Sequence, residues 1–398
     1  MKNERCDIVI VGAGAVGCAI AYLLSKAGLQ VTILEQDSIG SGSSAHATGL
    51  FTLLGSDFSD GPSFEMALAS HSICKTMVPA LEHETSIETL FQHKQAIRLA
   101  LDQEDKDMIQ SMGTWQSRYL PIRWLSATQC HQMEPRITKK VIGGMLEPDA
   151  LQIDSYRLTL ALAKASEQNG ATIKFRRATK IKHHKKKVTG IEVPNGEIEC
   201  ESIILATGSW SNLFSDQIKY PIFVEPLKGE RLILKMNGKP LPLFLGSPKG
   251  GHIITRKDGL WSIGSTGGRD DDDQSGKPSS AINYSPSEEA RLDLLQRAVM
   301  VMPCLENAQV VQQLAGSRPA TPDRKPLIGS IPTWEGLYLA TGHTARGVHL
   351  SFITAKMIHD FILGSGNQQL FNYEAFSPAR FNASRKLDYL EDSPIFEG

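Results

Sequence analysis

Apolar and polar positions open the chain as a strand, a glycine turn, a helix and a second strand. Asp7-Ile-Val-Ile-Val11 is apolar at every position after the first, the pattern of a parallel strand covered on both faces. Gly12-Ala-Gly14-Ala-Val-Gly17 follows, and an apolar-rich stretch over about 15–26 predicts a helix that stops at Gly28. A second run, Val31-Thr-Ile-Leu34, ends at Glu35. Residues 65–112 read as helical, with breaks near Pro79 and over 91–100. Residues 124–133 read as a short helix ended by Pro135, and 143–154 as a loop. Residues 156–169 form an amphipathic pattern closed by Gly170, followed by a strand over 171–175. From 216 to 317 the period changes to two: 252–256 and 260–266 flank Lys257-Asp-Gly259 as a hairpin, and a helix is expected over 287–302. A strand over 337–340, a glycine turn over 341–347 and a helix over 348–363 complete the pattern.

These elements predict an α/β fold. A discontinuous Rossmann-like nucleotide-binding domain is expected from 1–80, 145–215 and 318–375. An α+β substrate domain with an antiparallel sheet is expected from 81–144 and 216–317, and 376–398 forms a C-terminal tail. No Pro/Ser-rich linker and no internal repeat separates them, which predicts interleaved rather than serial domains.

Bulk properties narrow the class. The chain has 398 residues and a formal net charge of −1, so nothing draws it generally to nucleic acid or an acidic membrane. No apolar run approaches the ~20 residues of a spanning helix, and the charged start Lys2-Asn-Glu-Arg5 leads directly into a strand, so a cytoplasmic protein without a signal peptide is expected. The six cysteines, at 6, 18, 74, 130, 200 and 304, form no Cys-x-x-Cys pair and read as reduced thiols rather than a zinc site or disulfide framework. The basic run 182–187 reads as a solvated hairpin turn and the acidic run 270–273 as a mobile loop, so no metal site is expected.

The candidate chemistry lies at the glycine turns. Gly12 permits a tight turn, Gly14 lets a pyrophosphate approach the backbone, and Gly17 lets the helix pack on the strand. The helix N-terminus offers N–H groups and a positive dipole end to phosphates. Glu35 can accept from a ribose diol and would repel a 2′-phosphate. Ser41-Gly-Ser-Ser-Ala-His46-Ala-Thr-Gly49-Leu50 then places a histidine where a flavin ring could be held. Ile203-Ile-Leu-Ala-Thr-Gly208-Ser-Trp210-Ser211 is a strand ending in a small-residue turn, the shape that returns a chain beneath a dinucleotide.

Taken together and in order, GAGAVG with Glu35, SGSSAHATGL, LATGSWS, EPLKGE, ITRKDG, GSRPATPDRKPLIG and ATGHTARG resemble the D-amino-acid-oxidase-type FAD oxidoreductases. The likeness is to their glycine oxidase and sarcosine/dimethylglycine dehydrogenase branch, from Asp7 to about Tyr373. The resemblance implies FAD as cofactor, a small amino acid or amine as substrate, and oxygen or another electron acceptor. A homo-oligomer and partner subunits are both compatible with it. It implies pyrophosphate contacts from Gly12, Gly14, Ala15, Val16 and Gly17, with ribose contacts from Glu35 and Gln36. Ser43 and Ser44 match the phosphate-side hydroxyls. Thr48, Gly49 and Leu50 match the stretch beside the flavin, Lys180 the position whose backbone meets adenine, and Gly208 and Trp210 the ATG-W turn. His343, Arg346, Gly347, Val348 and His349 match the C-terminal flavin loop. His46 matches the histidine covalently bonded to the flavin in the dehydrogenases; glycine oxidases carry alanine there.

Arg318, in the R-P turn, matches the arginine that holds the substrate carboxylate; the alternative is a structural ion pair with Asp323. Arg346 and His252 are the other candidate catalytic residues. The glycine oxidase loop arginine falls one position earlier, on Ala345, and His252 replaces an active-site tyrosine; both departures point away from glycine itself. The implied reaction is oxidation of the C–N bond of glycine, sarcosine, dimethylglycine or a proline-like amino acid by hydride transfer to flavin N5, followed by imine hydrolysis. A 2-hydroxy-acid or glycerol-phosphate dehydrogenase, and the flavin subunit of a hetero-oligomeric amine dehydrogenase, remain open alternatives.

Overall fold

The computed structural model describes residues 4–55, 58–266, 285–364 and 372–381. The acidic run 270–273 and the tail beyond residue 381 lie outside the described residues.

The apolar runs read from sequence assemble one sheet. It contains β2 (Ile8–Val11), β3 (Val31–Glu35), β8 (Thr172–Phe175), β12 (Ser202–Leu205), β18 (Leu327–Ser330) and β19 (Leu337–Thr341), in the order β18-β19-β12-β2-β3-β8. All pairings are parallel except β18 with β19. Every residue of β2 is buried, as expected of a strand covered on both faces. One covering layer is helical: α1 (Ala15–Lys26), α6 (Ser155–Gln168) and α9 (Ser351–Leu363) share a core with Ile8, Ile10 and Ile33. Asp154 caps α6 by accepting from Arg157 N–H at 2.9 Å.

A small sheet lies beside it: β1 (Glu4–Arg5), β11 (Gly196–Glu199), β10 (Lys187–Val193) and β9 (Lys180–His184), in that order. The basic run is its hairpin turn. Lys185 and Lys186 take φ of 49° and 64°, the left-handed pair of a two-residue turn between antiparallel strands.

A nine-stranded sheet carries β17 (Gln309–Ala320), β13 (Glu225–Lys235), β16 (Trp261–Gly264), β15 (Gly251–Thr255), β14 (Phe244–Ser247), β5 (Gln92–Ala100), β7 (Gly143–Gln152) and β4 (Leu50–Phe51), with β6 (Arg123–Ser126) also paired to β7. The remaining helices are α2 (Ser43–His46), α3 (Pro62–Thr85), α4 (Gln103–Gln116), α5 (Ala127–Met133), α7 (Ser215–Ile218) and α8 (Glu288–Val301). Among the described residues, no helix is long and apolar enough to cross a membrane.

Three local expectations are corrected. Residues 143–152 form a strand, not a loop; β7 is paired on both sides, and that tertiary pairing overrides its two glycines, Gly143 and Gly144, and Pro148. The expected boundary at 145 therefore falls within a strand. Helix α3 runs through Pro79 without ending, held by Phe64, Met66, Ala67, Cys74, Val78 and Leu81 in the core. The stretch from Trp124 begins as β6, and its helix starts only at Ala127. A capping box sets that start: the Ser126 side chain accepts from Gln129 N–H, and the Gln129 side chain accepts from Ser126 N–H.

The pairing of β4 with β7 is closest where it begins, at Gly49. Its φ is +70°, and a Cβ there would lie 1.9 Å from the Ile153 carbonyl oxygen. Gly28 has φ +90° with nothing within 4 Å of a Cβ, so it isolates the backbone cost alone. Gly28→Ala is expected to lower stability by about 1 kcal/mol and Gly49→Ala by about 3 kcal/mol or more, read as urea unfolding midpoints. Equal losses would show that the approach to Ile153 carries no constraint.

Candidate active site

A cavity of ≈ 550 Å³ runs from the glycine turn after β2 to the face of the nine-stranded sheet. That volume falls within the usual range for ligand sites.

At its nucleotide end the backbone itself forms the wall. Gly12 has φ +110°, and a Cβ on it would meet the Ala206 carbonyl oxygen at 2.5 Å. A Cβ on Gly17 would lie 2.0 Å from the Gly12 carbonyl oxygen. Gly17 thus seats α1 without itself lining the cavity, while Gly12, Gly14, Ala15 and Val16 line it. The α1 N-cap, Gly14, has no side chain to cap the helix; Ser44 Oγ instead accepts from Ala15 N–H at 2.9 Å. Glu35 accepts from Ala13 N–H at 2.8 Å and Asp37 N–H at 2.9 Å, which fixes its carboxylate beside Gln36 on the cavity wall. Arg176, Arg177, Ala178, Thr179, Leu213 and Gln217 close this end. Lys180 stands just past that wall, its Nζ 3.9 Å from Glu192.

The middle of the cavity gathers the segments expected beside a flavin. Ser43, Ser44, His46, Thr48, Gly49 and Leu50 come from α2 and β4; Gly208 and Trp210 follow β12. Trp210 lies over Gly42, whose Cβ would be 3.4 Å from its ring. Ser43 Oγ and Ser209 Oγ both donate to the Ser317 carbonyl, joining this segment to β17. The loop before α9 supplies His343, Arg346, Gly347, Val348 and His349. His343 Nε2 lies 2.9 Å from Thr354 Oγ1, and burial pushes the imidazole down to about 3. Arg346 stacks on Phe58, 4.7 Å from the ring centroid, and burial lowers its guanidinium to about 10. His349 stacks face to face on Phe51 at 4.6 Å.

The far end rests on the nine-stranded sheet. Cross-strand partners share a face. Arg231 pairs Gly264, Gly264 pairs His252, His252 pairs Gly246 and Gly246 pairs Arg98, so these residues form one row across the floor. Arg318, opposite Leu227, lays its guanidinium over Gly229, where a Cβ would lie 2.2 Å from its central carbon. Asp323 is engaged by Arg380, at 2.8 and 3.0 Å. His252 Nε2 is 3.3 Å from Thr48 Oγ1.

Sequence reasoning missed three ionisable groups of this floor. Arg98 lay in a stretch read as a helix break and Glu147 in one read as a loop, so neither was placed on a strand face. Arg231 directly follows EPLKGE; it is buried and donates from Nε to the His46 carbonyl at 2.8 Å. Glu147 is fully buried, accepts from Leu53 N–H at 2.8 Å and Leu54 N–H at 3.1 Å, and is pushed up to about 8 by burial.

The FAD dependent oxidoreductase family model matches residues 7–361, and the chain belongs to that family. It is 27% identical over 385 residues to the glycine oxidase of Geobacillus kaustophilus, covering 95% of this chain and 98% of that protein. It superposes on the crystal structure of glycine oxidase from the same organism with a TM-score of 0.88, covering 96% of this chain and 100% of that one. The structure of L-proline dehydrogenase from P. horikoshii shares the fold, with a TM-score of 0.83 at 22% identity over 95% of this chain and 98% of that one. The chain is an FAD-dependent oxidoreductase, and the glycine cradle, Glu35 and the helix terminus fit that cofactor's nucleotide half.

The histidines make stability depend on pH. Burial holds His46, His71, His343 and His349 below the ordinary imidazole value of 6.5. The unfolded chain therefore binds protons before the folded one, and their contribution, complete above about pH 6.5, is lost as pH falls below it, down to about 3 in the case of His343. Melting temperature is expected to fall steadily from pH 7 to 5, with each histidine adding at most about 1.4 kcal/mol per pH unit. His343→Gln should flatten that slope; a flat profile in the unaltered protein would show that these rings are protonated in the fold.

Proposed function

We propose that this enzyme oxidises the C–N bond of a small secondary or tertiary amino acid, or of a cyclic one, rather than of glycine. The observation that carries the amino-acid part of this reading is Arg318: its guanidinium lies over Gly229 on the cavity floor, and Asp323, the acid nearest in sequence, is occupied by Arg380. A planar fork of donors there suits a carboxylate. The glycine oxidase relatives support an amino acid as substrate. His252 in place of a tyrosine, and Arg346 drawn against Phe58, alter the other side of the site.

Bound FAD supplies the hydride acceptor. This chain's residues then have three tasks. Arg318 fixes the carboxylate, so that the carbon bearing hydrogen faces the middle of the cavity; such orientation is most of what hydride transfer asks of a protein. Thr48 and His252 present polar atoms beside that position. Phe51, Leu54 and Phe244 line the same end with apolar surface, which excludes water from the amine.

Anaerobic bleaching of the flavin band tests the reading. Sarcosine, dimethylglycine, proline or hydroxyproline is expected to bleach the band faster than glycine, and Arg318→Ala to weaken the response to the best of them about a hundredfold, with Arg318→Lys in between. Bleaching only by 2-hydroxyglutarate or glycerol 3-phosphate would overturn C–N oxidation. Acid precipitation reads how His46 holds the ring: a yellow pellet means a covalent bond, and a colourless one means packing alone.

A further inference from the structure

A line of ionisable side chains leads from His349, on the cavity wall, to the exposed His93. His349 lines the cavity and is buried, and neither ring nitrogen has a hydrogen-bond partner. Its ring meets that of His71 edge to face, with centroids 5.7 Å apart. His71, on α3, is buried; its Nε2 faces Asp149 Oδ1 at 3.5 Å. The same oxygen lies 2.6 Å from Nε2 of His93 on β5, and Lys75 Nζ lies 2.5 Å from the other. His93 is 52% exposed. The loop is fixed against α3, because Ser70 Oγ donates to the His349 carbonyl at 2.5 Å.

We propose that His349, His71, Asp149 and His93 form a proton path between the cavity and bulk water.

The need for such a path rests on the amine-oxidation reading. An amino acid enters as an ammonium ion. It must lose one N–H proton to become the amine; the amine then loses hydride to the oxidised cofactor and becomes an iminium cation. One proton therefore has to leave a cavity walled by Phe51, Leu54 and Phe244. A neutral imidazole can accept a proton on one nitrogen while releasing one from the other, and two adjacent rings pass it on by small rotations. His71 Nε2 faces the Asp149 carboxylate at 3.5 Å and neither of its ring nitrogens has a hydrogen-bond partner, so the ring is left to swing between His349 and Asp149 as the proton passes.

Among the described residues, the charged and titratable groups bearing on the two buried rings are Arg346 on the loop of His349, Lys75 on α3 with His71, Asp149 on β7 and His93 on β5. Burial, followed by the neighbouring imidazole and Arg346, holds His349 well below the ordinary value. Burial likewise lowers His71, although Asp149 opposes it. Both rings are thus neutral at rest and pass the proton on rather than keep it. Asp149 stays ionised: burial raises its carboxyl, but Lys75, 2.5 Å away, brings it below the ordinary carboxylate range. Among the described residues, no group of three His, Cys, Asp or Glu side chains is placed to hold a metal ion, so this cluster does not read as a metal site.

The test uses the FAD-loaded enzyme labelled with ¹⁵N-histidine and needs no turnover. Exchange of the His349 ring proton with water, read by NMR, is expected to slow by about tenfold or more in His71→Leu and in Asp149→Asn, and to recover in Asp149→Glu. Asp149→Asn alters a partly exposed site, so it keeps the test decisive if His71→Leu does not fold. Unchanged exchange in a folded Asp149→Asn protein would overturn the path. These rates do not depend on which compound bleaches the flavin, so the path and the amine reading fail separately.

Discussion

The constraint on which the structure depends is the close approach of backbone to backbone where α1 crosses the end of β2. A methyl group at Gly17 would lie 2.0 Å from the Gly12 carbonyl oxygen, and one at Gly12 would lie 2.5 Å from that of Ala206. The two glycines let helix and strand meet without side chains between them. The N-terminus of α1 therefore points into the cavity, and the Ala13 amide in the turn just before it is held by Glu35. Ser44 reaches in from α2 to accept from Ala15 N–H, so the segment that carries His46 is tied to the same point. Nucleotide end and middle are thus set by one contact, and a shift of α1 would move both.

The floor follows a related rule. Gly229, Gly316 and Gly264 lie on the cavity face of the nine-stranded sheet, and their missing side chains make room for others. Arg318 lies over Gly229, His46 over Gly316, and His252 with the Arg231 stem over Gly264. A strand gains nothing in stability from glycine. Here glycine lets long polar side chains lie along the sheet, where they remain in reach of a ligand above it.

Much of this was legible in the sequence because it depended on local rules. The βαβ opening, Glu35 at the end of its strand, the Lys185–Lys186 hairpin turn and the strand-turn-helix around His343 are each encoded by neighbouring residues. Nearly all the cofactor-side residues named from sequence do line one cavity; Lys180 does not, and Gly17 acts through packing. What escaped was set by long-range pairing. Strand β7 contains Gly143, Gly144 and Pro148, and only its neighbours β5, β6 and β4 hold it extended. Without that strand, Glu147 and Asp149 have no place, so the buried carboxyl on the floor and the acid beside His71 could not be found. Pro79 misled for the same reason: the core on one face of α3 outweighs one missing hydrogen bond.

The charges in the cavity lean one way. Arg231 and Arg346 are each brought down to about 10, which still leaves both cationic at neutral pH; burial is the cause for both, with Arg256 adding to it at Arg231. Arg98 and Arg318 add two more guanidiniums on the sheet floor beside Arg231. Glu147, pushed up to about 8, is mostly uncharged there and offsets little of this. Holding cations in a site that penalises them is costly in the absence of an anion. The cost is offset when a carboxylate arrives, and again when negative charge develops on the cofactor side during oxidation. The same field resists any further positive charge. On the proposed reading an ammonium substrate is therefore pressed to give up its proton on entry, and the fold places two buried imidazoles, His349 and His71, between the cavity and the Asp149 carboxylate.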